Sequence, residues 1–174
     1  GLTVSTASTF PVTVGPDLTR NNSFDGFLAK VNPAGNGLIY ASYIGGDDED
    51  VAYGVAADQQ GNAYVVGYTK SSEASFPVTV GPDVTHNSPL VEDAFIVKVS
   101  ATGTQFLYAG YIGGLRYDLA YAVTVDPSGA AYVAGETLSS ETQGFPIKVG
   151  AGLPASGATD VIMAKVNPSG TGLV

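Results

Sequence analysis

The sequence predicts an all-β repeat protein assembled from four-stranded antiparallel units, about two and a half of them. Three observations carry this. The stretches DGFLAKVNPAGNG, DAFIVKVSATGTQ and DVIMAKVNPSGTG open at Asp25, Asp93 and Asp160, so the chain repeats at intervals of 68 and then 67 residues. Residues 25–72 align without a gap onto residues 93–140, with about half the positions identical. Finally, 23 glycines, ten tyrosines and recurrent Val, Thr and Ser leave long helices hard to place. Short alternating segments punctuated by Gly, Asn-Pro and Asp-Pro read instead as strands. A fixed period of this length marks a repeat architecture.

Each period divides into four strands. The first is expected from Phe27 to Val31, from Phe95 to Val99 and from Ile162 to Val166. A turn follows, in which Gly35, Gly103 and Gly170 are free to take positive φ. The second strand runs from Leu38 to Ile44 and from Phe106 to Ile112, ending at Gly45-Gly46 and Gly113-Gly114, where the backbone bends or approaches a neighbour. The third is expected over 52–57 and 120–125, and the fourth over 63–67 and 131–135. Between them, Asp58-Gln59-Gln60-Gly61 and Asp126-Pro127-Ser128-Gly129 form tight hairpins. Asp bonds the backbone two residues on, and Gly supplies the left-handed position. A longer connection carries Phe10-Pro11-Val12, Phe76-Pro77-Val78 and Phe145-Pro146-Ile147, with the Phe as its anchor.

Four short antiparallel strands and a longer crossover describe a propeller blade, which needs neighbours to cover its faces. Tyr40/Tyr108, Tyr43/Tyr111, Tyr53/Tyr121 and Tyr64/Tyr132 recur in register and are expected to pack between blades, their hydroxyls on backbone partners. Read this way, 1–24 is the end of a preceding blade with its connection. The first repeat is 25–92, the second 93–159, and 160–174 opens an incomplete blade.

The series DAFIVKVSATGTQFLYAGYIGG, then DLAYAVTVDPSGAAYVAGET, then FP resembles the bacterial β-propeller repeat known as SBBP. The resemblance implies a propeller-like fold in secreted or cell-surface proteins, beside other extracellular modules. It brings no defined catalytic site, and it transfers fold far better than function.

Composition narrows the chemistry. Sixteen acidic residues against seven scattered basic ones give a net charge of −9, which argues against a nucleic-acid partner. Without cysteine there are no disulfides and no thiolate zinc sites. No apolar run is long enough for a transmembrane helix. A start at Gly1 with no initiator Met or signal peptide suggests a processed or excised chain. By alignment the chain starts at the exit of a fourth strand and stops inside a second strand. A window of a longer repeat protein, a subunit completed by neighbouring copies and an engineered fragment all fit. Open strand edges seek partners, so further repeats or copies of the same chain are the expected partners.

Few residues stand outside this repeat logic. Asp47, Asp48, Glu49 and Asp50 follow Gly-Gly and are candidate calcium ligands, Ca²⁺ taking six to eight oxygens. The plainer and preferred reading is a solvated acidic loop with Asp50 and Asp118 capping a turn. Tyr68 and Tyr117 do not repeat and are candidate ligand-binding aromatics. Asp25, Asp93 and Asp160, with Lys30, Lys98 and Lys165, recur in each repeat and read as structural. His86, the one histidine, lies in a polar connection near Asp83 and Ser88 without the context of a catalytic triad. Asn21-Asn22-Ser23 is a formal glycosylation sequon. The expected function is therefore a noncatalytic extracellular structural or adhesive module, with no cofactor other than the candidate Ca²⁺. The alternative is a glycan- or protein-binding module using the variable loops at 47–50 and 79–92. A glycan-active enzyme is the least supported reading.

Overall fold

The computed structural model describes residues 1–21, 23–147 and 158–174. Ten strands form three antiparallel sheets, and no α-helix occurs among the described residues. The first sheet holds β1 (Leu2–Thr3), β2 (Asp25–Val31) and β3 (Leu38–Ile44) in that order. The second is complete: β4 (Asp50–Ala57), β5 (Ala63–Thr69), β6 (Asp93–Val99) and β7 (Phe106–Ile112). The third holds β8 (Asp118–Val125), β9 (Ala131–Thr137) and β10 (Asp160–Val166). An isolated bridge between Val166 and Leu173 begins a further strand beside β10.

The all-β, propeller-like expectation is met, with a difference of phase. The four-stranded sheet runs from Asp50 to Ile112, so it joins the last two strands of the repeat 25–92 to the first two of 93–159. A sequence repeat is thus not one sheet. Each sheet is shared by two successive repeats, which ties the repeats together through backbone hydrogen bonds as well as side chains. The edge strands β4 and β8, each the third strand of its repeat, face one another, and Gly54 lies so close that a β-carbon there would stand 2.9 Å from the Tyr121 carbonyl oxygen. The sheets therefore fan out from this shared inner edge.

Both hairpins form as their sequences require. The Gly61 N–H donates to the Asp58 carbonyl (3.0 Å) with Gly61 at φ +84°. Asp58 Oδ1 accepts from the backbone of Gln60 and Asn62 at 3.0 and 2.9 Å. The connections also do work at the outer edges. Residues 13–17 bond along β3 and residues 79–83 along β7, with the Tyr111 N–H donating to the Asp83 carbonyl (2.8 Å). Covering an edge in this way removes its unpaired groups from competition.

The cores lie between sheets. Phe76 anchors its connection as expected, fully buried with its ring 5.3 Å from Phe95 and 5.6 Å from Tyr111. Phe10 repeats the arrangement on Phe27 (5.1 Å) and Tyr43 (5.0 Å). Tyr40, Tyr43, Tyr64, Tyr108 and Tyr111 are buried, and most of their hydroxyls find backbone acceptors. Tyr43 donates to the Ser5 carbonyl at 2.9 Å and Tyr111 to the Ser71 carbonyl at 3.0 Å. The Tyr108 hydroxyl is buried without a partner among the described residues.

Strands β2, β4, β6, β8 and β10 each begin two residues earlier than sequence reading places them, at an Asp. An aspartate reads as a turn former, yet Asp25, Asp50, Asp93 and Asp118 are fully buried and belong to the ladders. His86 is buried as well, its ring edge-on to Tyr111 at 5.3 Å, in a connection that reads as polar.

Candidate functional site

The acidic run does not converge on one point. The Asp50 carboxylate turns inward and accepts from the Gly46 N–H (2.7 Å) and the Ser71 hydroxyl (2.9 Å). Glu49 pairs with Lys70 at 2.8 Å, and Lys70 also reaches Glu92 at 3.4 Å. Asp47 and Asp48 are exposed, and their backbone N–H groups are held by the hydroxyls of Ser75 (3.1 Å) and Ser71 (2.9 Å). No group of three or more His, Asp or Glu side chains forms a metal-binding cluster among the described residues. The alternating tasks of this run follow from the turn, which points one carboxylate into the protein and two into solvent.

Tyr68 and Tyr117 are not brought together either. Tyr68, half-buried on β5, stands 5.9 Å from Tyr53, which in turn lies 5.4 Å from Tyr121 across the sheet boundary. The Tyr121 hydroxyl donates to Glu136 at 2.7 Å. Tyr117 is exposed and makes no ring contact among the described residues. The aromatic strip is therefore Tyr68, Tyr53 and Tyr121. Tyr68 is not repeated along the chain, whereas Tyr53 and Tyr121 are equivalent positions of successive repeats. Of the sequon, Asn22 lies outside the described residues.

Two recurring sites carry the electrostatics. At the hairpins, Asp58 Oδ2 accepts from Tyr64 Oη (3.1 Å) and lies 3.7 Å from Lys98, whose ammonium sits 4.8 Å from the Tyr64 ring centre. Asp126, Lys165 and Tyr132 repeat this triangle, with an ion-pair distance of 3.5 Å. Burial works against the Asp58 carboxylate, but hydrogen bonds from Asn62 and Tyr64 and the charge of Lys98 outweigh it and hold its pKa below the ordinary range.

At the Gly-Gly bends the balance is reversed. Asp25 and Asp50 both crowd Gly45, while Asp93 and Asp118 both crowd Gly113. All four are fully buried. Burial, with a neighbouring carboxylate in support, lifts Asp25 to about 6, Asp50 to about 7 and Asp93 to about 7; burial also raises Asp118.

A third feature is open to solvent. A recess of about 200 Å³ lies between β2 and β4, lined by Phe27, Leu28, Ala52, Tyr53, Val55 and Val65 among others. It adjoins the edge of β2, which β1 pairs only at Asp25 and Gly26. In the other two sheets the equivalent strand is seven residues long and pairs throughout. No side chain lining the recess is charged, so it suits apolar backbone-bonding chain rather than polar chemistry.

A search of curated proteins finds no match to this chain. No helix among the described residues is long and apolar enough to cross a membrane. Residues 39–73, which run from β3 through β4 and β5 to the following turn, match the family model SBBP, described as a beta-propeller repeat. Residues 39–73 are thus similar to an SBBP-type β-propeller repeat, and the internal repetition of the chain places like segments to either side.

Proposed function

We propose that this chain is a noncatalytic architectural module, acting in an extracellular or cell-surface protein, that joins further repeats of its own kind. One observation carries the reading. The Tyr40 ring occupies the space beside Gly103 and the Tyr108 ring the space beside Gly170, whereas the equivalent Gly35 has no atom within 4 Å of where its side chain would be. The partly paired β2 edge and the apolar recess beside it are two further open features. A strand of the β5 or β9 kind, with a tyrosine from the preceding sheet, fills all three features at once. Backbone pairing supplies direction and register, and apolar burial supplies the driving force.

The test is sedimentation velocity over a range of concentrations, with hydrogen exchange across Leu28–Val31. A module completed by another repeat shows protection of those amides together with either association or a covalently attached neighbour. Val55→Lys, at an exposed position lining the recess, is expected to abolish both without unfolding the protein. A concentration-independent monomer whose Leu28–Val31 amides exchange freely would overturn the proposal.

A second reading, a binding module for glycan or protein, has the strip of exposed Tyr53 and Tyr121 with half-buried Tyr68 in its favour. Aromatic faces with a polar rim suit such ligands.

A further inference from the structure

We propose that Asp25 with Asp50, and Asp93 with Asp118, form proton-sharing carboxyl pairs that make the stability of each repeat fall as the pH rises toward neutrality. The geometry recurs in both repeats. A β-carbon on Gly113 would stand 2.8 Å from Asp93 Oδ1 and 3.0 Å from Asp118 Oδ2, so the two oxygens flank one backbone position. A β-carbon on Gly45 would stand 2.8 Å from Asp50 Oδ2 and 3.1 Å from Asp25 Cγ.

In the second pair the two carboxyls are treated differently. Asp118 is well supplied with donors: the Gly114 N–H (2.8 Å), the Ser139 hydroxyl (2.9 Å) and the Thr137 hydroxyl. Its mate Asp93 accepts at Oδ2 from the Asn87 N–H (3.0 Å), and its Oδ1 is buried without a partner. In the first pair Asp25 accepts at Oδ2 from the Asn21 N–H (3.1 Å), and Oδ1 of Asp25 and Oδ1 of Asp50 are both buried without a partner among the described residues. Two full charges cannot share a dry site, and a buried carboxylate oxygen is not left unpaired without cost. A proton on one carboxyl of each pair, Asp93 in the second, removes both problems, because the acid becomes a donor beside a carboxylate that in the second pair is already held by three groups. A calcium ion would need six or more oxygens, which two carboxylates do not supply.

The charged and titratable surroundings favour the protonated form. Asp17, Arg20, Tyr43 and Asp50 surround Asp25, and Arg20 is the one cation among them. Asp50 is met by Asp25 and Tyr111; Asp93 by Asp83, Asp118 and Tyr111. An aspartate held protonated in the fold but ionised in the unfolded chain lets the folded state bind more protons. Stability from this source is complete below the unfolded value of 3.8 and is lost as pH rises to about 7.

The experiment is urea unfolding of the whole protein between about pH 5 and about pH 8, for the parent and for Asp25→Asn and Asp93→Asn. The unfolding constant of the parent is expected to rise by up to about tenfold per pH unit for each proton held. Each Asn variant, neutral and of the same shape, loses one proton's share of that slope and is at least as stable as the parent at about pH 8. A parent slope that is flat or reversed, or full slopes in both variants, overturns the proposal. So does stabilisation of the parent by calcium chloride at the higher pH that Asp93→Asn abolishes, which would make the pair a cation site. Should the variants not fold, infrared spectra of parent protein with ¹³C-labelled aspartate decide the matter. A protonated carboxyl band persisting to about pH 6 is expected, and its absence overturns the inference.

Discussion

The Tyr40 ring occupies the space that any side chain on Gly103 would need, although Tyr40 lies on β3 and Gly103 in the turn between β6 and β7 of the next sheet. Gly103 also has φ +73°, so its place in the turn and its place under the ring both require glycine. Gly35 shares the turn, at φ +72°, without the ring. Gly35→Ala should therefore cost only the left-handed strain of roughly 1–2 kcal/mol. Gly103→Ala adds overpacking and should cost roughly 2–4 kcal/mol in total. Equal losses in a thermal or urea melt would mean that the Gly35 surface is also covered.

Phe76→Ala should destabilise by roughly 3–5 kcal/mol, since it empties a fully buried site between Phe95 and Tyr111. Phe10 makes the matching contacts but is only half-buried, so Phe10→Ala should cost less. Urea midpoints of the two variants check the order.

Asp58→Ala should cost about 2 kcal/mol, because it leaves Lys98, the Asn62 amide and the Tyr64 hydroxyl without their shared acceptor. Its pKa is depressed in the fold, so its contribution is present above the unfolded value and lost as pH falls through the folded one. The parent-to-variant difference in melting temperature should accordingly narrow on acidification. This runs opposite to the effect of the buried pairs at Gly45 and Gly113.

Along the acidic run, Asp50→Ala should cost about 2 kcal/mol, through the unmet Gly46 and Ser71 donors. Asp47→Ala and Asp48→Ala should change stability by no more than about 0.5 kcal/mol. Comparable losses at all three positions, measured by calorimetry, would point to a shared ligand instead.

Alkaline titration followed by ultraviolet absorption should show Tyr121 ionising at about 12, held up chiefly by its bond to Glu136. Glu136→Gln should lower that value toward the ordinary range. Burial pushes Tyr64, Tyr108 and Tyr111 higher still, so their ionisation should coincide with unfolding.

Much of this architecture was legible because its causes are local. The Asp58 hairpin needs only its own Asp and Gly, and the FPV connections reveal their anchor by repeating it. Along the acidic run, counting carboxylates cannot tell that Asp50 points inward and Asp47 outward. Tyr68 stood out for not repeating, yet its neighbours in space are the repeating Tyr53 and, beyond it, Tyr121. Position 86 reads as a polar loop, and the His86 ring is buried by Tyr111, a residue 25 positions away.

The sequence by itself determined the period, the strands, the hairpins and the turn glycines, because each depends on residues within a few positions of one another. Only the tertiary structure decided how the strands divide into sheets, which aspartates lose their water, and which glycine lies under which tyrosine. Those outcomes depend on pairing between strands of successive repeats, where β6 lies against β5 rather than opening a sheet of its own. A period read along the chain has no phase in space until the strands are paired.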